Sequence, residues 1–501
     1  MYIRQLRVEH LKRLANLELD FTHGGKPRMW TVLIGENGTA KTTILQAIGL
    51  AASGSKQVNT LVGSAVKHLR DRRRGEAMSL DALFDFTPSS VRNLTTLHPL
   101  ANRLRSLKGW HLRSVVGLET GSTTLDATAF YEPTGVPAFE PLMSHRISRA
   151  LKARAGDSPE RDPLDEARGA NTPLWFVAGY GISRVLPDAT TVPALARPSI
   201  ERLEPLFRPV GLVSTGFANH FLMKDQEEKR RPGETSRRFS RMLKQAVELG
   251  GNDLFPELVR LELRGQGGTK SSTMLIESDR FFQRMARGKA PVAIAGVALS
   301  HGYQSTFAWI ADLIGHVLLE SKTELDTTEM EGLVLIDEID LYLHPTWQAR
   351  FIPALRRVFP RMQFVATTHS PVVLSALAPH EIVRLVVDAE SGDIVQGGWE
   401  ADRGQFRPGI QNPEHQPDPR LMTGGEIYRT WFGLEGLTPN PLGEKLRKLQ
   451  VLSTHPSPTP FQRKELVSLR KELAAQFEER LGAAQGRQAL GEFEKRTRRG
   501  R

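Results

Sequence analysis

The sequence predicts an α/β fold with a mixed sheet, a large inserted α/β lobe and a helical C-terminal segment. Three stretches carry that expectation. The apolar run Trp30–Ile34 passes into Gly35–Thr43 and then into the helical Ile44-Leu45-Gln46. Leu333–Ile336 is a second apolar run, closed by Asp337-Glu338, and Gln363–Thr368 is a third, closed by His369. Short unbroken apolar runs suit strands buried on both faces, and ligands collect beyond the carboxyl ends of such strands.

The first stretch reads as a strand feeding a phosphate-binding loop. In such a loop consecutive backbone N–H groups and the positive end of the following helix face phosphate oxygens. Asn37, Gly38, Thr39, Ala40, Lys41, Thr42 and Thr43 are the expected nucleotide-binding residues. Lys41 supplies a full positive charge, and Thr42 supplies a hydroxyl for Mg²⁺. The pattern Gly-x4-Gly-Lys-[Ser/Thr] wants glycine where this chain has Ala40. If that position needs a left-handed backbone, the Cβ costs about 1 kcal/mol, which weakens or reshapes binding without abolishing it.

At the end of the second run, Asp337 could hold Mg²⁺ through water and Glu338 could polarise an attacking water. Two adjacent buried acids with no cation would be costly, so a merely decorative role is not expected. His369 stands where a sensor of a terminal phosphate would lie. Before these, Leu299-Ser300-His301-Gly302-Tyr303-Gln304 opens a helical apolar pattern at Phe307, Ile310, Ala311 and Ile314. Read alone it is a helix cap, although serine and glycine at a helix start also present donors and a dipole to an anion.

Composition sets the outer bounds. A chain of 501 residues with 40% hydrophobic content can fill more than one core, and a formal charge of +11 favours an anionic partner, nucleic acid first. It contains no cysteine, which excludes disulfides, cysteine-ligated zinc and a thiol nucleophile. No apolar run approaches the length of a membrane span and no leader pattern opens the chain, so a cytoplasmic protein without membrane contact is expected.

In chain order, residues 3–9 and 17–21 alternate as two half-buried strands, and His23–Pro27 is a turn, suggesting a hairpin beside the nucleotide strand. The domain expectation is a head formed by 1–54 and 290–400, an inserted lobe at 55–289, and a linker with a helical segment at 401–501. Within the insertion, Lys67–Arg74 and Lys224–Lys244 are basic clusters, the second diluted by Glu227, Glu228 and Glu234. Residues 155–163 read as a mobile loop. Leu174–Arg184 reads as a core strand with a Gly-flanked turn, and the sharper alternative has Arg184 reaching phosphate or coupling the insertion to nucleotide. No heptad persists, which argues against long coiled-coil arms. Beyond His369, residues 382–395 read as a hairpin. Asp388, Glu390 and Asp393 are better explained as an acidic turn than as a metal cluster.

The ordered set of Walker A loop, signature-like Ser300–Gln304, Walker B with adjacent Glu338, the Asp340–Pro345 segment and switch His369 resembles the P-loop ABC-type ATPase head of the RecF, SMC and OLD-like group. The spellings Leu343-His344-Pro345, Thr367–Pro371 and Gly179–Arg184 are most similar to AAA family ATPases of bacterial antiphage systems of the Septu type. This resemblance implies ATP and Mg²⁺ as cofactors, with Thr42 and Asp337 at the metal and Glu338 and His369 catalytic. It also implies a homodimer or higher homo-oligomer in which Ser300 and Gly302 complete the partner's site in trans. An effector protein such as a nuclease, and DNA or RNA, are the further partners it implies. The alternatives are a RecF-like repair ATPase and a self-contained OLD-like nuclease; the C-terminal segment lacks the strands and carboxylates of a nuclease, so that activity is not expected in this chain. The glutamine that senses Mg²⁺ in such heads has no evident counterpart.

Overall fold

In the computed structural model, the described residues are 1–71, 73–89, 110–133, 162–169, 175–186, 198–213, 233–262, 280–284, 288–321, 325–400, 405–408, 416–434, 441–454 and 459–481, with a few single positions between and after them. The expected mobile loop at 155–163 lies almost wholly outside them.

The strands are β1 (Tyr2–Leu11), β2 (Leu14–Asp20), β3 (Trp30–Ile34), β4 (Met78–Asp85), β5 (Trp110–Leu118), β6 (Asp126–Pro133), β7 (Val177–Tyr180), β8 (Leu258–Glu262), β9 (Arg280–Gln283), β10 (Val292–Ala295), β11 (Gly332–Ile336), β12 (Met362–Thr367), β13 (Ile382–Val387), β14 (Ile394–Glu400) and β15 (Gln405–Pro408). The principal helices are α1 (Lys41–Ala51), α2 (Ser55–Val62), α3 (Pro163–Gly169), α4 (Glu234–Leu254), α5 (His301–Glu320), α6 (Pro345–Val358), α7 (Gly424–Phe432), α8 (Pro441–Thr454) and α9 (Pro460–Leu481).

Two large sheets frame the part of the chain up to residue 427. The first runs β15-β14-β13-β3-β12-β11-β7, parallel from β13 to β7 and antiparallel at the β13-β14-β15 end. All residues of β3, β7, β11 and β12 are buried, the pattern of strands covered on both faces. The second runs β2-β1-β4-β5-β6 and is antiparallel throughout. Helix α1 contacts both, and Ile44, Leu45, Ile48 and Leu50 share one core with Leu6, Val8 and Leu80 of the antiparallel sheet and Leu33, Leu335 and Val365 of the parallel one. Each such fully buried aliphatic side chain contributes about 1.5–3 kcal/mol. Gln363 adds a polar tie: its Oε1 accepts from Ile3 N, and its Nε2 donates to Ile3 O.

This arrangement corrects the expected place of the first hairpin. The first hairpin turns at Lys12-Arg13 and belongs to the antiparallel sheet, whereas β3 sits in the other. Strands of the region 55–289 join both sheets: β4, β5 and β6 extend the N-terminal hairpin, while β7 pairs in parallel with β11. Half-buried strands leave open backbone donors and acceptors, and pairing satisfies them on whichever edge lies nearest in space, however distant in sequence. What remains apart from both sheets is the three-stranded β8-β9-β10 and α4, which packs on α5 and α6. The segment 401–420 is not purely linker either, since Gln405–Pro408 pairs with β14.

The chain divides into two units, 1–427 and 428–501. Within the second, Leu449 and Leu452 of α8 pack with Leu469 and Leu473 of α9 as a small helical hairpin. No helix among the described residues is long and apolar enough to cross a membrane.

Candidate functional site

The carboxyl ends of β3, β11 and β12 open into one cavity of about 320 Å³. Asn37, Gly38, Ala40, Lys41, Thr42, Thr43, Asp337, Glu338 and His369 all line it. The phosphate-loop geometry begins with Ala40, which caps α1 at φ 60° and ψ 22°. The left-handed conformation that favours glycine is therefore present, with the Cβ strain it brings for alanine. Thr39 is buried and closes the loop, its Oγ1 donating to Glu36 O at 2.8 Å. Lys41 Nζ donates to Gly35 O and Glu36 O, each at 2.9 Å, so the ammonium is held at the mouth of the loop. Burial pulls its pKa down, while Asp337 and Glu338 act in the opposite direction.

Across the loop, Thr42 Oγ1 donates to Asp337 Oδ2 at 2.8 Å, and Thr367 Oγ1 donates to Asp337 Oδ1 at 2.7 Å. Adjacent ligand oxygens on octahedral Mg²⁺ lie about 3 Å apart, from bonds of about 2.1 Å at right angles. The Thr42 and Asp337 oxygens thus fit one Mg²⁺ coordination sphere. Glu338 adopts φ 47°, a left-handed turn at the strand end, and its N–H donates to Thr367 Oγ1 at 2.7 Å. Such a conformation is uncommon for a non-glycine residue and aims the side chain away from the strand's regular alternation.

The next turn is tied to the switch strand. Thr368 Oγ1 donates to Asp340 Oδ1 at 2.5 Å, and Ser370 Oγ donates to Gln348 Oε1 at 2.7 Å. His369, exposed between these two anchors, lines the cavity. Burial first, and then the Lys41 charge, lower its pKa and favour the neutral imidazole.

Ser300 and Gly302 do not line this cavity. Ser300 is exposed at the start of α5 and makes no side-chain capping bond. Gly302 is buried against the Asp340–Leu343 turn, where a Cβ would stand 2.7 Å from Tyr342 O. Its lack of a side chain lets α5 approach that turn.

Two cations escaped the sequence reading. Lys12 and Arg13, at the β1–β2 turn, also line the cavity, and Arg13 Nη1 donates to Gly38 O at 3.2 Å. Their signal was present as adjacent cations at the one break between two alternating strands, but nothing in the sequence placed that turn against the loop at 35–43. Arg184 moves the other way. It does not line the cavity, so the phosphate-contact alternative is corrected: it lies buried behind the site.

The surrounding charge is partly spent. Arg73 pairs with Asp71 and Asp393, and Arg74 pairs with Asp393, so the first basic cluster is neutralised in part by the acidic turn. Asp388 accepts from Ser391 N and Oγ, as an acidic turn does. On α4, Arg238 pairs with Glu234, while Arg237, Arg241 and Lys244 are exposed.

Comparison with known proteins found several similarities. The family described as "AAA domain, putative AbiEii toxin, Type IV TA system" matches residues 158–375. The Septu protein PtuA of Bacillus mycoides (strain KBAB4) is 23% identical over 475 residues, 94% of this chain and 50% of that protein. The "Retron Ec83 probable ATPase" of Escherichia coli is 39% identical over 94 residues, 19% of this chain and 17% of its own length. A solved SMC head bound to the C-terminal winged-helix domain of ScpA aligns over 80% of this chain and 99% of its own, with 13% identity and a TM-score of 0.43. The chain spans half the length of the Bacillus mycoides relative, and less of the retron one.

Proposed function

We propose, on the premise that this chain is an ABC-type ATPase head related to the ATPases of Septu and retron antiphage systems, that it is a nucleotide-driven switch. ATP binds in the cavity, with its phosphates on the backbone donors of the 35–43 loop and on Lys41. Thr42 and Asp337 hold Mg²⁺, which when bound neutralises phosphate charge and orients the terminal phosphoryl group. Glu338 accepts a hydrogen bond from the attacking water and draws its proton, and neutral His369 donates to the terminal phosphate. Lys12 and Arg13 add positive charge along the rim.

One observation carries this reading: four segments, from Lys12 to His369, converge on a single cavity that holds three cations, threonine hydroxyls and two carboxylates. The dimer is part of the same proposal. Ser300 stands exposed outside its own chain's cavity, so its hydroxyl and the start of α5 are available to a second copy's nucleotide. Closure of two copies would then couple hydrolysis to an effector, a nuclease or bound nucleic acid, in a cytoplasmic defence complex.

The decisive experiment measures ATP hydrolysis and mass in solution for three proteins. Lys41→Ala is expected to lose nucleotide binding. Glu338→Gln is expected to bind ATP, turn over about a hundredfold slower or worse, and accumulate as an ATP-dependent dimer. Equal hydrolysis rates for wild type and Glu338→Gln would end this assignment.

A further inference from the structure

Arg184 is 2% exposed, and all three guanidinium nitrogens are engaged. Nη1 donates to Asp337 O at 2.6 Å and Nη2 to Glu338 O at 2.8 Å. Nε donates to Ser305 Oγ at 3.3 Å, and Ser305 lies on the first turns of α5. No carboxylate lies within ion-pair distance of Arg184 among the described residues. A cation buried this way is expensive, and carbonyl oxygens return only part of its lost hydration.

Its partners suggest what that cost secures. The two carbonyls belong to the residues whose carboxylates face the cavity, and between them the backbone enters the left-handed turn at Glu338. A planar fork of donors fixes the relative direction of two consecutive carbonyls, whereas an ammonium, being a point donor, does not. The third nitrogen ties this turn to α5, the helix that carries Ser300 at its exposed start. A second tie runs along the same helix: Tyr180, four residues before Arg184, donates its hydroxyl proton to Asp312 at 3.0 Å. Arg202 pairs with Glu320 still further along. Polar anchors at 305, 312 and 320 fix the axial position of α5 more narrowly than apolar packing alone.

We propose that Arg184 is a positioning residue: its guanidinium sets the Glu338 turn and makes that setting depend on the position of α5, linking the hydrolytic carboxylate of one site to the helix start offered to the other. This rests on the ATPase reading above. It goes beyond it in naming the element that carries information between the two nucleotides of a dimer. The segment Gly181–Arg184 then acts as the mechanical link on the β7 side of the site, with no contact to nucleotide of its own.

Steady-state ATP hydrolysis by full-length wild type, Arg184→Lys, Arg184→Met and Ser305→Ala, with melting curves for each, tests this. Ser305→Ala removes only the α5 tie, and Arg184→Lys keeps the charge while losing the fork. Both are expected to fold and to keep KM for ATP within about twofold. The expected loss in kcat is about ten- to a hundredfold for Arg184→Lys, smaller for Ser305→Ala and larger for Arg184→Met. Wild-type kcat in folded Ser305→Ala and Arg184→Lys would overturn the proposal, as would losses of kcat that only follow losses of melting temperature. If wild type hydrolyses no ATP, the functional reading fails first; if wild type is active and Glu338→Gln is not, a normal Arg184→Lys condemns this inference alone.

Discussion

Thr42 and Asp337, 295 positions apart in sequence, share a 2.8 Å hydrogen bond across the mouth of the parallel sheet. The bond exists because β3 and β11 flank β12 and end at the same level, so the first turn of α1 meets the end of β11. The pair therefore brings a hydroxyl and a carboxylate together where the proposed Mg²⁺ would be held. Asp337→Asn and Thr42→Val are each expected to lower ATPase activity by about a hundredfold and to weaken Mg²⁺-dependent ATP binding. Titration of Mg²⁺ at fixed ATP checks this; unchanged Mg²⁺ dependence in both variants would remove these residues from the metal site.

Ala40 offers a stability test. Its φ of 60° strains an alanine, while glycine at that position pays more unfolded-state entropy. The first effect is the larger, so Ala40→Gly is expected to raise the melting temperature of the nucleotide-free protein by about 1–2 °C. ATP affinity, measured separately, is expected to stay within about threefold: the strain is already present without nucleotide, so the weakening expected from the sequence does not follow from it.

The start of α5 separates packing from chemistry. Gly302→Ala puts a Cβ against Tyr342 O and is expected to cost about 1–3 kcal/mol, read as an earlier denaturant midpoint, together with lost ATPase activity. Ser300→Ala removes an exposed hydroxyl that caps nothing. It should leave the midpoint unchanged while lowering ATPase activity about tenfold or more. Unchanged activity in Ser300→Ala would argue against a role for this hydroxyl in a neighbouring copy's site.

Asp312 makes stability depend on pH. It is fully buried, and burial raises its carboxyl pKa to about 7, against the hydrogen bonds from Tyr180 and from Val213 N. An acid whose folded pKa is raised stabilises the fold fully below its ordinary value of 3.8, and that contribution is lost as pH rises through about 7. Asp312→Asn removes the titration. Relative to wild type, its melting temperature should therefore be higher by a few degrees at pH 8 than at pH 5; a constant difference across that range would contradict the assignment.

Local sequence was enough for every segment whose chemistry is carried by one stretch of backbone. Strand β3, the loop to Lys41, the acids after β11 and the histidine after β12 are legible because a strand buried on both faces reads as a short apolar run, so the polar residues that end it stand out. The start of α5 and the acidic turn at Asp388–Asp393 are legible from local signals of another kind, a serine opening an apolar helical pattern and a Ser-Gly pair between two apolar runs. Residues 55–289 read as an insertion because alternation marks a half-buried strand without naming its neighbour, and only the folded chain pairs β4 with β1.

The sequence by itself settled much of the inventory of this protein: which strands are buried, where the loop at 35–43 turns, and which acids end the apolar runs. Tertiary structure alone decided who meets whom. Lys12 and Arg13 reach the cavity only because the antiparallel sheet lies over α1, and Arg184 withdraws from it only because β7 docks beside β11. A side chain's type is written in one codon, but its distance to another depends on closing loops of tens to hundreds of residues, and the packing that closes them leaves no local mark.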